Sequence, residues 1–171
     1  GNDGLGNTTS KLPPSSRHVP SKHAALELID LAKGTSKSEP FTLVALGPLT
    51  NLALAVRLDP AFVQNVPRLV IMGGAVNAMG NASASAEFNI LADPEAAGII
   101  FEAGFPDIWI IPWETAMKHI VLWEDVDKLK ALDTSNSHLF FQITEHLSEI
   151  FRYNFRIPGM PLADPLAMAV A

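Results

Sequence analysis

The sequence predicts an α/β fold, a mostly parallel sheet covered by helices on both faces. Three observations lead there. Helix-like and strand-like segments alternate along the chain. The runs FTLVALG (41–47), RLVIMGG (68–74) and DIWIIPW (107–113) are apolar almost throughout, as strands buried on both faces are, whereas half-solvated antiparallel strands alternate. The segments between them carry helix start and stop signals, so the strands are joined by helical crossovers.

The elements follow in order. Residues 1–20 are rich in Gly, Asn, Ser and Pro and read as a loop. Ser21 is placed to cap a helix through about Lys33, and Gly34 to end it. After the first strand, Pro48 suits the first turn of a helix over LTNLALAVRL (49–58), which ends near Asp59-Pro60. The second strand runs into the adjacent glycines Gly73 and Gly74. A long loop follows, and then Asp93-Pro94-Glu95 reads as cap, first-turn proline and first-turn acid of a helix to about Gly104. The third strand is followed by two helices, Trp123 to about Leu132 and Ser135 to about Phe155. Asp164-Pro165 repeats the cap-and-proline signal and opens a last helix. In a parallel sheet, ligands sit beyond the carboxyl ends of the strands. Those ends are Gly47-Pro48, Met72-Gly73-Gly74 and Pro112-Trp113.

Composition narrows the function. The chain has 171 residues, 48% of them hydrophobic and 18% charged, with a mean hydropathy of +0.21. That is a core-rich globular composition and is read as a single domain. The net charge of −6 disfavours nucleic acid, whose phosphates attract basic surfaces. The absence of cysteine excludes disulfides and thiolate metal sites. No apolar run reaches the roughly 18 residues of a membrane helix. The compartment stays open, with the cytoplasm as default. The opening GNDGLGNTTS reads like mid-loop and the closing ADPLAMAVA like the first turns of a helix, so the chain is expected to be incomplete at both ends.

The stretch MGGAVNAMGNASASAEFNILADPEAA (72–97) carries the chemistry. Its adjacent glycines let a ligand approach the backbone, and Asn77, Asn81, Glu87 and Asn89 follow. Amides and carboxylates of this kind suit vicinal hydroxyls. A phosphate would want a cation and a glycine loop opening directly into a helix, yet no Lys or Arg lies between Arg68 and Lys118. The stretch therefore reads as sugar-binding. The plainer alternative makes its Asn and Gly turn residues and Glu87 a surface charge. Asp164, read alone, is a helix cap, and Asp93 has the same local context. His18, His23, His119, His138 and His146 show no metal-site spacing. No G-x-S-x-G elbow supports a nucleophilic serine. Trp109, Trp113 and Trp123 read as core or core edge. GGAVNAMGN lacks the G-x-G-x-x-G spacing of a dinucleotide site.

Four segments together resemble one family. GNDGLGN (1–7), VALGPLTNLALA (44–55), IMGGAVNAMGNASASAEFNILADPEAA (71–97) and ADPLAMAVA (163–171) are similar, in order and rough spacing, to the inosine-uridine preferring nucleoside hydrolases. The resemblance implies a Rossmann-like open α/β fold, bound calcium, and hydrolysis of the N-glycosidic bond of ribonucleosides to ribose and free base. It places Met72, Asn81, Glu87 and Asn89 on the ribose. It makes Asp164 a calcium ligand and the backbone carbonyl of Leu46 another. Calcium takes six to eight oxygens. The resemblance assigns the others, and the general base, to a D-x-D-x-G-x-D-D motif that these 171 residues lack. Ala163 stands where many members carry a histidine that protonates the leaving base. Phe151 and Tyr153, with Arg152 between them, lie on the base side in this reading. The implied partner is a ribonucleoside, with neither nucleic acid nor membrane, and the full-length protein is expected to form a dimer or tetramer. The chain alone is expected to be inactive. The alternative is a non-catalytic or truncated homologue that acts as a binding or interaction protein.

Overall fold

The structure, a computed structural model, describes residues 7–8, 21–35, 41–77 and 79–171. Most of the loop expected over 1–20 lies outside the described residues. Contacts divide the chain into two compact units, Pro20–Lys118 with Ala163–Ala171, and Gly1–Val19 with His119–Leu162.

The larger unit is built on three parallel strands in the order β1-β2-β3: β1 (Thr42–Ala45), β2 (Arg68–Met72) and β3 (Ile108–Ile111). The register pairs Thr42 with Arg68 and Ala45 with Ile71, then Leu69 with Ile108 and Met72 with Ile111. Around them run α1 (Ala24–Gly34), α2 (Thr50–Leu58), α3 (Phe62–Asn65), α4 (Phe88–Ala92), α5 (Pro94–Glu102) and α6 (Trp113–Lys118), with α9 (Ala163–Val170) closing the chain.

The apolar runs explain the layers. Side chains alternate across a strand, so β2 supplies two cores. Leu69 and Ile71 face a cluster that includes Ile29 of α1, Leu52 of α2, Phe62 of α3 and Ile100 of α5. Val70 and Met72 face the other way, against Ile111 and Ala167, with Leu166 and Val170 of α9 alongside. Helices thus cover both faces, as the sequence predicts. Phe62 and Phe105 meet edge to face at 6.2 Å in the first core.

Several boundaries differ for local reasons. α1 is capped by His23, whose Nδ1 accepts the Ala25 amide at 3.2 Å, and not by Ser21. α2 starts at Thr50, two residues past Pro48. α4 lies within the stretch expected to be loop. Trp109 is exposed, its ring beneath the Arg68 guanidinium at 5.7 Å, and so is an edge residue and not core.

The smaller unit contains β4 (Val121–Leu122), α7 (Trp123–Lys130), α8 (Ser135–Glu149), a π-helical turn over Ile150–Asn154 and β5 (Gly159–Met160). β4 and β5 pair antiparallel. Thr134 caps α8 in a reciprocal box with Ser137. The helix expected to run to Phe155 leaves α geometry at Ile150.

Candidate functional site: the carboxyl end of the second strand

The end of β2 and the chain that follows form one hydrogen-bonded cluster. Glu87 is the N-cap of α4 and only 2% exposed, so it is not a surface charge. Its Oε1 accepts the Asn89 amide at 2.9 Å. Its Oε2 accepts the amides of Gly74 at 2.8 Å and Ile90 at 3.3 Å. An ionised carboxylate offers about four lone-pair directions, and three are taken here by backbone donors. Asn89, 8% exposed, points its Nδ2 at the Met72 carbonyl, 3.0 Å, and the Met72 sulfur, 3.3 Å. Asn81 Oδ1 accepts the Phe88 amide at 2.9 Å and so fixes the far end of the loop to the start of α4.

Glycine makes this packing possible. Gly74 has φ +85°, a region glycine occupies without strain. A Cβ on Gly73 would lie 3.3 Å from Glu87 Oε2. At Gly80 a Cβ would overlap the Ser83 carbonyl oxygen and the Ala86 backbone, because residues 80–86 fold tightly. The amides of Asn81, Ala82 and Ser83 all reach the Ala86 carbonyl, at 3.1–3.2 Å.

Asp164 lies in the first turn of α9, the helix packed beneath Met72. The two Asp-Pro sites part company here. Asp93 caps α5 through the Ala96 amide at 3.0 Å. The Asp164 carboxylate makes no hydrogen bond or ion pair with any described residue and lies inside the helix, so the cap reading is wrong for it. Loss of solvent on its protein side, and then the charge of Glu87, raise its pKa. Two carboxylates thus face each other's field with no cation from the described residues between them. Ala163 packs against the apolar cluster under the strand ends.

Leu46 directly follows β1 and is exposed. It borders a mostly apolar cavity of about 520 Å³ with Leu28, Leu31, Gly47 and Leu52. Among the described residues no group of three His, Cys, Asp or Glu could hold a metal. In the smaller unit, Phe151 is 7% exposed and Tyr153 67%. Arg152, between them, stacks 4.6 Å over Trp123 and pairs with Asp127.

Sequence reasoning passed over Glu114, which is 6% exposed. Its carboxylate accepts the Asn77 amide across 37 residues of chain. The only signal in the sequence is an acid next to the apolar strand end.

A profile of the family described as inosine-uridine preferring nucleoside hydrolase matches residues 1–171. The chain belongs to this family. Uridine nucleosidase 1 of Arabidopsis thaliana is 45% identical over 167 residues, 98% of this chain and 48% of that protein. The inosine-uridine preferring nucleoside hydrolase of Crithidia fasciculata is 32% identical over 151 residues, 88% of this chain and 47% of that protein. Among solved structures, a plant nucleoside hydrolase superposes with a TM-score of 0.89 at 35% identity, covering 99% of this chain and 52% of that one. The chain spans about half the length of the curated relatives it matches. The α/β fold of the nucleoside hydrolases is thus shown, and the Glu87 cluster sits at the carboxyl end of β2, the end of a parallel sheet where ligands bind.

Proposed function

We propose that this chain carries the ribose-binding half of a calcium-dependent hydrolase that cleaves the N-glycosidic bond of ribonucleosides. The observation that supports it most is the set of polar groups left over at the Glu87 cluster. Glu87 has one lone-pair direction free, and Asn89 Oδ1, Asn81 Nδ2 and both Asp164 oxygens make no hydrogen bond among the described residues. A ribose offers several hydroxyls, each both donor and acceptor, which matches that mixture.

Asp164 fits a calcium ion as a contributor and not as a complete cage, and the Leu46 carbonyl is assigned to the same ion by the resemblance alone. Asp164 is an unpaired carboxylate beside a second carboxylate, a pair whose repulsion a cation relieves, but six to eight oxygens are needed. Bound calcium would supply Lewis-acid activation of a water and alignment of the sugar hydroxyls. The chain's own residues do the rest of the work assigned here. Met72 closes the floor of the sugar site. Asn81, Glu87 and Asn89 hold the hydroxyls, and their hydrogen bonds strengthen as the ribosyl group gains oxocarbenium character. Phe151 and Tyr153 are assigned to the base by the resemblance alone, and Tyr153 is the exposed one of the two.

The general base has no counterpart in these 171 residues, so the chain alone binds ribose without turnover. Ala163, which cannot donate a proton, favours a second reading, a homologue that binds nucleosides without cleaving them. Reducing-sugar release from inosine and uridine, with calcium and after chelation, separates these. Release by the protein expressed from its full gene, lost on chelation, supports the hydrolase. Tight nucleoside binding with no release supports the binding protein.

A further inference from the structure

The chain leaving β2 is held from two sides. Glu87 grips it at Gly74 from the α4 side. On the other side, the backbone continues the sheet for two more bonds. Gly73 donates to the Ile111 carbonyl at 3.2 Å, and Trp113 donates to the Gly74 carbonyl at 2.9 Å. Beyond that point the ladder ends, and Glu114 takes over from the first turn of α6. One of its oxygens accepts the Asn77 amide. The other, Oε2, is buried and has no hydrogen-bond partner among the described residues.

Burial would protonate such a group. Nearby backbone amides, that of Asn77 first among them, outweigh that and keep its pKa below the ordinary glutamate value. The bond from the Asn77 amide to this carboxylate is charge-assisted, about twice as strong as a neutral one. No other charged group is needed for this hold, and no Lys or Arg lies within 69–117.

We propose that Glu114 is a positioning residue, which fixes the backbone at Asn77, and through it the chain leaving β2, in the shape that admits the sugar, by binding the Asn77 amide with its charge. The inference rests on the hydrolase reading above. Glu114 need not touch the substrate. Its contacts with the loop are the same before and after the bond to the base loosens. Its loss therefore weakens ground state and transition state alike, which raises KM and spares kcat.

The test uses Glu114→Gln, which keeps the size and one acceptor and removes the charge, with Glu114→Asp as the variant that keeps the charge. Both are made in the protein expressed from its full gene. Hydrogen exchange of the Asn77 amide is read beside kcat and KM for uridine and inosine. The expected result for E114Q is faster exchange confined to this loop, KM raised about tenfold and kcat within about twofold. E114D should recover part of both effects. Unchanged exchange overturns the inference. So does faster exchange with unchanged KM, which would make Glu114 a packing residue only. A wild-type protein that releases no ribose contradicts the hydrolase reading and takes this inference with it. An active wild type with an unaltered E114Q contradicts the role of Glu114 alone.

Discussion

Glu87 Oε2 accepts the Gly74 amide at 2.8 Å across thirteen residues of chain, and the same side chain caps α4 through Asn89 and Ile90. One buried carboxylate therefore fixes both the glycine pair after β2 and the helix that carries Asn89. Fold stability and sugar geometry share this residue, and the predictions separate the two.

Glu87→Gln leaves one oxygen for three amide donors and turns an NH2 group on the other side. At least one backbone donor then loses its buried partner, which costs about 1–3 kcal/mol. Urea denaturation should show a lower midpoint with an unchanged slope. A midpoint equal to wild type would mean that these bonds contribute nothing net.

Two glycines should respond in opposite directions to alanine. At Gly80 the added Cβ meets backbone atoms of Ser83 and Ala86 that cannot move independently. Gly80→Ala should destabilise by about 2 kcal/mol or more. Gly98 lies mid-helix in α5 with nothing within 4 Å of a Cβ. Gly98→Ala should stabilise by roughly 0.5–1 kcal/mol. The pair can be read in one thermal-melt series.

Asp93 has a pKa lowered from 3.8, first by the Thr50 hydroxyl and then by the Ala96 amide. A lowered folded pKa stabilises the fold above the unfolded value, and that contribution fades as pH falls below about 3.8 through the folded pKa. Thr50→Val removes the larger cause. Its stability deficit should be constant at neutral pH and shrink below pH 3.8. A deficit that persists into acid would break the link to Asp93.

Asp164 stands beside Glu87 with its pKa raised, so its ionised form opposes folding when no cation is bound. Asp164→Asn should melt in chelator at the wild-type temperature or slightly above. Calcium should raise the melting temperature of the full-length wild type and leave the variant unmoved. A calcium shift retained in Asp164→Asn would remove this residue from the metal site.

The three strands were legible because each is a short, nearly unbroken apolar run, and a strand buried on both faces needs that pattern. Asp93 was legible as a cap because aspartate there, before a proline, is a common start signal. α4 was not, since its cap is Glu87, a residue type outside the usual N-cap set. The two-residue strands β4 and β5 are too short for any periodicity. Asp93 and Asp164 look alike in sequence, but Asp93 is the residue before α5 and Asp164 lies inside the first turn of α9. Glu114 could not be found from sequence, because its partner is the backbone amide of Asn77, 37 residues away, and amides carry no side-chain signature. Glu87, Asn89 and Met72 were expected together, and they are bonded together. Their contact with ribose remains the proposal.

Asn89→Ala tests that proposal most directly. Asn89 joins Met72 to α4, and its Oδ1 makes no hydrogen bond among the described residues. Catalytic efficiency for uridine and inosine should be measured in the full-length protein, beside its melting temperature. The account predicts a loss of roughly a hundredfold or more in kcat/KM in protein that still melts cooperatively. Wild-type efficiency in the folded variant would contradict it and leave the cluster a structural corner of the sheet.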